Sequence, residues 1–180
     1  MNILTLILSS LYFILPAYIA NMCPVIFDKL HFPLGAPIDE KLFGSHKTWR
    51  GFYAGYIGAL ATLFLQSYFY KTVIGAETTT LASPILNYGE INIFLYAMLF
   101  GIGALAGDLI KSFFKRKMGI APGGSWFPFD QLDFVFGALI YLSPFFIPSW
   151  QNIVTIIIIT PLLHFLANLT AYALKLKKTI

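Results

Sequence analysis

Apolar residues gather into five long stretches, residues 3–20, 52–70, 92–110, 132–149 and 153–174, and the segments between them hold nearly all of the charge. Each stretch is near the roughly 20 residues a helix needs to cross a ~30 Å hydrocarbon core. The connecting segments, of at most roughly 30 residues, are too short to build a core of their own. The pattern predicts an all-α integral membrane protein, one polytopic domain over residues 1–180 with five transmembrane helices. The first stretch lacks a basic leader and an Ala-x-Ala-like cleavage site, which predicts a retained helix rather than a signal peptide.

Composition supports this class: 58% of residues are hydrophobic and 11% charged, against roughly 45–50% and about 25% in soluble domains. A net charge of +4 would suit a nucleic-acid binder in a soluble chain. In a membrane protein it is expected of loops that face the cytoplasm and anionic lipid, so no nucleic acid is implied. Eleven of the twelve cations lie between stretches one and two, after stretch three or after stretch five, leaving only Lys71 for the other side. The positive-inside rule then puts the amino terminus outside, two loops and the carboxyl terminus in the cytoplasm, and the chain in the cell membrane. Residues 71–91 and 143–152 become extracytoplasmic spacers, the second carrying Pro144, Pro148 and Trp150. The lone Cys23 can form neither an intramolecular disulfide nor a thiolate metal site by itself, and is read as packing.

Charges at membrane depth cost about 2.5–3.5 kcal/mol on insertion scales, so each is a candidate for function. Asp108 ends the third stretch, and on a helix it shares one face with Lys111, Ser112, Lys115 and Gly119. A basic helix end that snorkels, with an Asp108–Lys111 or Asp108–Ser112 contact, is the structural alternative, and it suits Arg116 and Lys117 better than Asp108. Residues 119–129, with Gly119, Pro122, Gly123, Gly124, Ser125 and Pro128, can expose successive backbone N–H groups. Asp130 and Asp133 follow one helical turn apart. Capping accounts for one such acid. Two, with Asp108 at a similar depth, point to a divalent cation of the Mg²⁺ kind, which takes carboxylate oxygens together with substrate phosphates.

The first loop offers Lys47, Thr48 and Arg50 just ahead of the second stretch, where ammonium, hydroxyl, guanidinium and a helix N-terminus suit an anion. Solvated interfacial cations are the alternative, and His46 is read that way. The segment fails as a Walker A loop because Lys41 and His46 occupy its glycine positions. Gly51, Gly55 and Gly58, and Gly103 and Gly107, are spaced for close helix packing. Thr160, His164 and Asn168 form a polar stripe expected to face the bundle and hydrogen-bond between helices.

With these residues in place, the chain resembles the CDP-archaeol synthases and, more distantly, the CDP-diacylglycerol synthases of the integral-membrane CTP transferase superfamily. The resemblance covers nearly the whole chain. It rests on Asn21-x-x-Pro24, Pro37-x-Asp39, Gly44-x-x-Lys47-Thr48-x-x-Gly51, Gly107-Asp108 with Ser112 and Lys115-Arg116, and Pro128-x-Asp130-Gln131-x-Asp133. Gln131 stands where the diacylglycerol enzymes carry Arg, which fits the archaeol-type branch better. The resemblance implies that a membrane lipid phosphate attacks the α-phosphorus of CTP, giving CDP-lipid and pyrophosphate with Mg²⁺. Asp108, Asp130 and Asp133 would be metal ligands and, with Lys115, catalytic. Lys47, Thr48, Arg50, Lys111, Ser112, Arg116, Gly123 and Gly124 would meet substrate, and the lipid would enter sideways between helices. CDP-alcohol phosphotransferases need four clustered acids, and only Asp130 and Asp133 stand close together here. A phosphatidic-acid-specific synthase, and a non-enzymatic anion transporter or lipid-binding protein, are the other readings.

Overall fold

The computed structural model describes residues 2–70, 72, 85–121 and 124–173, with side chains of the last helix described to Leu166 and at Leu169. It is all-helical among these residues: α1 Ile3–Lys29, α2 Glu40–Phe43, α3 Trp49–Phe69, α4 Ile93–Lys117, α5 Phe129–Leu142 and α6 Trp150–Ala173. The β-type pairing described is one isolated bridge between Pro37 and Thr48. Lys71, Glu77, Ser83, Gly123, Lys175, Lys177 and Lys178 lie outside the described residues.

Side-chain caps set the long helices. Asn2 accepts the Thr5 N–H at 2.7 Å, Thr48 the Gly51 N–H at 3.2 Å and Asn92 the Leu95 N–H at 3.1 Å, each satisfying a donor that a helix start leaves without an intrahelical partner. At the other end of α4, the Ile120 N–H reaches the Lys115 carbonyl and the Gly119 N–H reaches that of Arg116. This Schellman closure needs a left-handed residue, and Gly119 supplies it at φ +74°.

Helix α4 packs against α1, α3 and α5, and α6 lies on α1 and α5. The buried surface is built from small or polar residues as much as large ones. Ala17, Ala20, Ala54, Ala59, Ala97, Ala104 and Ala138 are fully buried, while Leu65, Phe94, Ile140 and Ile158 are more than half exposed. Large aliphatics outside and small residues inside are what a lipid solvent favours, because helices then gain from close packing and hydrogen bonds rather than from hiding apolar surface. The interior bonds are present: Ser10 donates to Asn152 at 2.9 Å, Tyr18 and Thr160 share a hydrogen bond of 2.7 Å, and Gln66 donates to the Tyr12 carbonyl at 2.6 Å. Helices α1 and α4 are each long and apolar enough to cross a membrane. Cys23 packs on α3, where a Cβ at Gly58 would lie 2.4 Å from its sulfur.

Three expectations change. The first helix continues nine residues past residue 20, to Lys29, despite Pro24. Asn21, Pro24 and Asp28 then share a face, so the extension follows the helical period rather than hydropathy. The stretch 132–149 is helical over Phe129–Leu142 only. Pro144 has no N–H to return to the Ile140 carbonyl, and the Ser143 hydroxyl takes that acceptor at 2.8 Å instead. At ~1.5 Å per residue this helix is about 21 Å long. Of the polar stripe on α6, Thr160 is buried but His164 is exposed, so that face turns away from the bundle before its end, and the Asn168 side chain lies outside the described residues.

Candidate active site

The α4–α5 crossing draws the acids together. A Cβ added to Gly107 would lie 2.1 Å from the Asp133 carbonyl oxygen, and one at Gly137 would lie 2.1 Å from that of Gly103. Backbone touches backbone here, which brings Asp108 and Lys111 on one helix against Asp130 and Asp133 on the other. Lys111 Nζ then stands 3.0 Å from Asp108 Oδ1, 3.1 Å from Asp130 Oδ1 and 2.6 Å from Asp133 Oδ2. Lys115 Nζ grips both oxygens of Asp130, at 2.9 and 3.1 Å, and also donates to the Gly124 carbonyl. Lys47 comes from the first loop to pair with Asp108. The bridge at Pro37 and Thr48, with Ile38 N–H on the Lys47 carbonyl at 2.8 Å, holds that part of the loop.

The capping alternative for the α5 acids does not hold. The helix follows Pro128 with no side-chain cap, and Asp130 accepts from the Trp126 N–H, ahead of the helix. Asp133 accepts from the N–H of its neighbour Phe134 at 2.6 Å, and its side chain is only 5% exposed. Removing such carboxylates from water is costly without cations beside them, and Lys47, Lys111 and Lys115 supply these.

Two cavities flank the cluster. The first, about 520 Å³, is lined by Asn21, Asp28, Ser45, Lys47, Thr48, Arg50 and Asp108 among others. Its size falls within the roughly 300–1,000 Å³ of small-molecule sites, and its lining joins two cations, Lys47 and Arg50, to two acids, Asp108 and Asp28. The second, about 270 Å³, lies between α4 and α5 and is walled by Ile110, Phe114, Trp126, Phe129, Phe136 and Ile140, with Lys111 and Asp133 as its charged members. Exposed apolar side chains leading to a buried ammonium describe a place for an amphiphile with an anionic head.

Several residues singled out in the sequence are also held in structural contacts. Thr48 caps α3 while lining the first cavity. Arg50 pairs with Asp28 and donates to the Phe32 carbonyl at 2.7 Å. Ser112 is buried on α4. Arg116 donates to the Ile120 carbonyl at 2.7 Å, which supports the end of α4. Asp39 caps α2 through the Leu42 N–H. Asp28 also lines the first cavity, a placement signalled in the sequence only by its seven-residue spacing from Asn21 on one helical face.

Three carboxylates on two adjoining helices surround one cationic position, and hard oxygen donors of this kind are what Mg²⁺ takes. The position is held by the Lys111 ammonium, and no group of three acids, imidazoles or thiolates stands at metal-ligand spacing among the described residues.

Comparison with known proteins gives a consistent result. The family profile CarS-like, described as CDP-archaeol synthase, matches residues 3–180. A CDP-archaeol synthase of Methanococcus aeolicus is 34% identical, with 98% of each chain covered. One of Methanococcoides burtonii is 36% identical, covering 91% of this chain and 98% of its own. A solved structure described as an intramembrane enzyme for archaeal membrane lipids biosynthesis superposes with a TM-score of 0.70 at 28% identity, over 91% of this chain and 94% of that one. The chain belongs to the CDP-archaeol synthase family.

Proposed function

We propose that this protein is the CTP-dependent cytidylyltransferase that converts archaeol phosphate into CDP-archaeol and pyrophosphate at a membrane. A phosphatidic-acid acceptor and a non-enzymatic transporter are both less favoured by its relatives. The observation that carries the reading is the position of the ionic cluster: a polar cavity of nucleotide size opens on Asp108 and Lys47, an apolar groove opens on Asp133 and Lys111, and the two meet at one set of charges.

CTP would lie in the first cavity, its phosphates against the Lys47 ammonium, the Thr48 hydroxyl and the N-terminus of α3, with Lys115 behind them holding Asp130. The lipid would enter from the bilayer along the α4–α5 groove, its phosphate meeting Lys111. An oxygen of that phosphate attacks the α-phosphorus, and the bond to the β-phosphate breaks. Transfer of this type asks for positioning and charge stabilisation rather than a covalent nucleophile, which matches a site of carboxylates and ammoniums. Asp108, Asp130 and Asp133 would hold Mg²⁺. When bound, the ion supplies neutralisation of the charge that grows on the pyrophosphate.

Labelled CTP, Mg²⁺ and a panel of lipid phosphates given to the purified protein should yield CDP-lipid, with pyrophosphate released only when lipid phosphate is present; CTP left intact with every lipid would refute the assignment. Lys47→Met and Lys115→Met should each weaken nucleotide binding or transfer by about 1–3 kcal/mol, the scale of charged hydrogen bonds. Equal losses on changing Lys175 or Lys178 would show that general basicity, not a site, had been disturbed.

The topology that serves this reading has five helices crossing the membrane, the amino terminus outside and the cluster on the cytoplasmic face, where CTP is found. Cysteines placed at Ser83 and Ser125 in a chain whose Cys23 has been replaced should label with an impermeant thiol reagent on intact cells at Ser83 alone. Labelling at Ser125 alone would invert the orientation.

A further inference from the structure

We propose that Lys111 is an internal counter-ion that closes the acidic cluster to free divalent metal, so that metal enters only in company with a phosphate ligand that takes the ammonium away. This rests on the cytidylyltransferase reading above and adds an order of loading to it.

Three carboxylates, Asp108, Asp130 and Asp133, face three ammoniums, Lys47, Lys111 and Lys115, so the cluster is neutral as it stands. Lys111 alone touches all three acids, with its side chain 14% exposed. A divalent cation bound by these acids would need the place its ammonium fills, because like charges a few Å apart in a low-dielectric site repel strongly. A displaced ammonium needs another anion. Among the other described carboxylates, Asp28 is paired with Arg50, Asp39 caps α2, and Glu40 and Glu90 are exposed to solvent, Glu90 ahead of the opposite end of α4. Lys111 borders the α4–α5 groove, whose walls are otherwise apolar except for Asp133 and the Trp126 indole. A phosphate arriving there or from the nucleotide cavity is therefore what can receive it. Metal and phosphate then reinforce each other's binding through one side chain, as reciprocal linkage requires.

The test is manganese uptake by the purified full chain in detergent, read as the Mn²⁺ that stays with the protein after rapid desalting, because CTP and lipid phosphates bind free Mn²⁺ in solution by themselves. Wild-type protein with Mn²⁺ alone should take up little at a concentration that fills the site when CTP or a short-chain dialkylglycerol phosphate is added. The two additions are run separately, and the one that promotes uptake identifies which phosphate receives the lysine. Lys111→Met should bind Mn²⁺ alone about tenfold or more tightly than wild type, since one positive charge has left the site, whereas Lys111→Arg, which keeps the charge, should bind it as weakly as wild type. Stoichiometric uptake by wild type without phosphate, or a Lys111→Met protein no tighter than wild type, overturns the counter-ion role while leaving the transferase assay to stand by itself. Should Lys111→Met fail to fold, the wild-type comparison with and without phosphate decides alone. Absence of uptake under every condition refutes this inference and the metal assignment together.

Discussion

Asp133→Asn should fold and insert like the wild type yet lose transfer by about 10²-fold or more, the loss seen when a group that meets developing charge is removed. Asn keeps the size of the side chain and can still accept the Phe134 N–H that Asp133 accepts at 2.6 Å. The variant removes charge alone. Its cost to the fold is limited because Lys111 is shared: without Asp133 it still has Asp108 and Asp130 at 3.0 and 3.1 Å. Asp108→Asn should behave alike, as Lys111 keeps two acids and Lys47, a quarter exposed, can turn to water. Asp130→Asn is the variant with a folding risk, because Lys115 has Asp130 as its carboxylate partner and is only 8% exposed. Breaking a buried pair from one side leaves an uncompensated charge, at about 3–5 kcal/mol. CDP-lipid formation against Mg²⁺ concentration, beside thermal melting of each variant, separates these effects. Wild-type rate and metal dependence in Asp133→Asn would leave that residue a structural partner of Lys111, and the metal ligands would have to be sought around Asp108 and Asp130.

The acids of this site were legible in the sequence because a carboxylate at membrane depth is expensive and because a spacing of three puts Asp130 and Asp133 on one helical face. Both arguments concern a single helix. Which helix faces which is not written in the period, so Lys111 could be placed on the stripe with Asp108 but not at the meeting point of three carboxylates. The same limit explains His164: a four-residue repeat with Thr160 gives a stripe, and only the position of α1 decides that Thr160 meets Tyr18 while His164 lies outward. Hydropathy likewise ended the first helix too early, since Asn21 and Asp28 are polar residues that the helix carries beyond its apolar stretch to line a cavity. In the fourth stretch it ended the helix too late, because hydropathy does not register the missing N–H of Pro144.

The glycines were read as packing, and the structure puts one of them, Gly107, at the backbone contact that sets Asp133 beside Lys111. Gly107→Ala should lower both stability and transfer, the latter by about 10²-fold. Its Cβ would meet the Asp133 carbonyl oxygen at 2.1 Å and the Gly137 Cα at 3.0 Å. Neither neighbour is the far end of a flexible side chain, so the relief available is for α5 to move away from α4. Overpacking of this kind costs about 1–3 kcal/mol in stability. The ion pairs that cross the same interface span 2.6–3.1 Å, and a shift near 1 Å carries Asp130 and Asp133 off Lys111 and Lys115. Misplacement by about 1 Å can cost 10²-fold in rate even when no reacting group is changed. Gly58→Ala is the matched control: it also overpacks a helix crossing, but against the Cys23 side chain on α1, away from the acids. It should lose less stability, since the Cys23 sulfur is a side-chain end that can turn aside, and keep transfer per folded molecule. If Gly107→Ala behaved like Gly58→Ala, with lowered melting and unimpaired transfer, the register of the carboxylates would have to be set by the ion pairs themselves and not by the contact of α4 with α5.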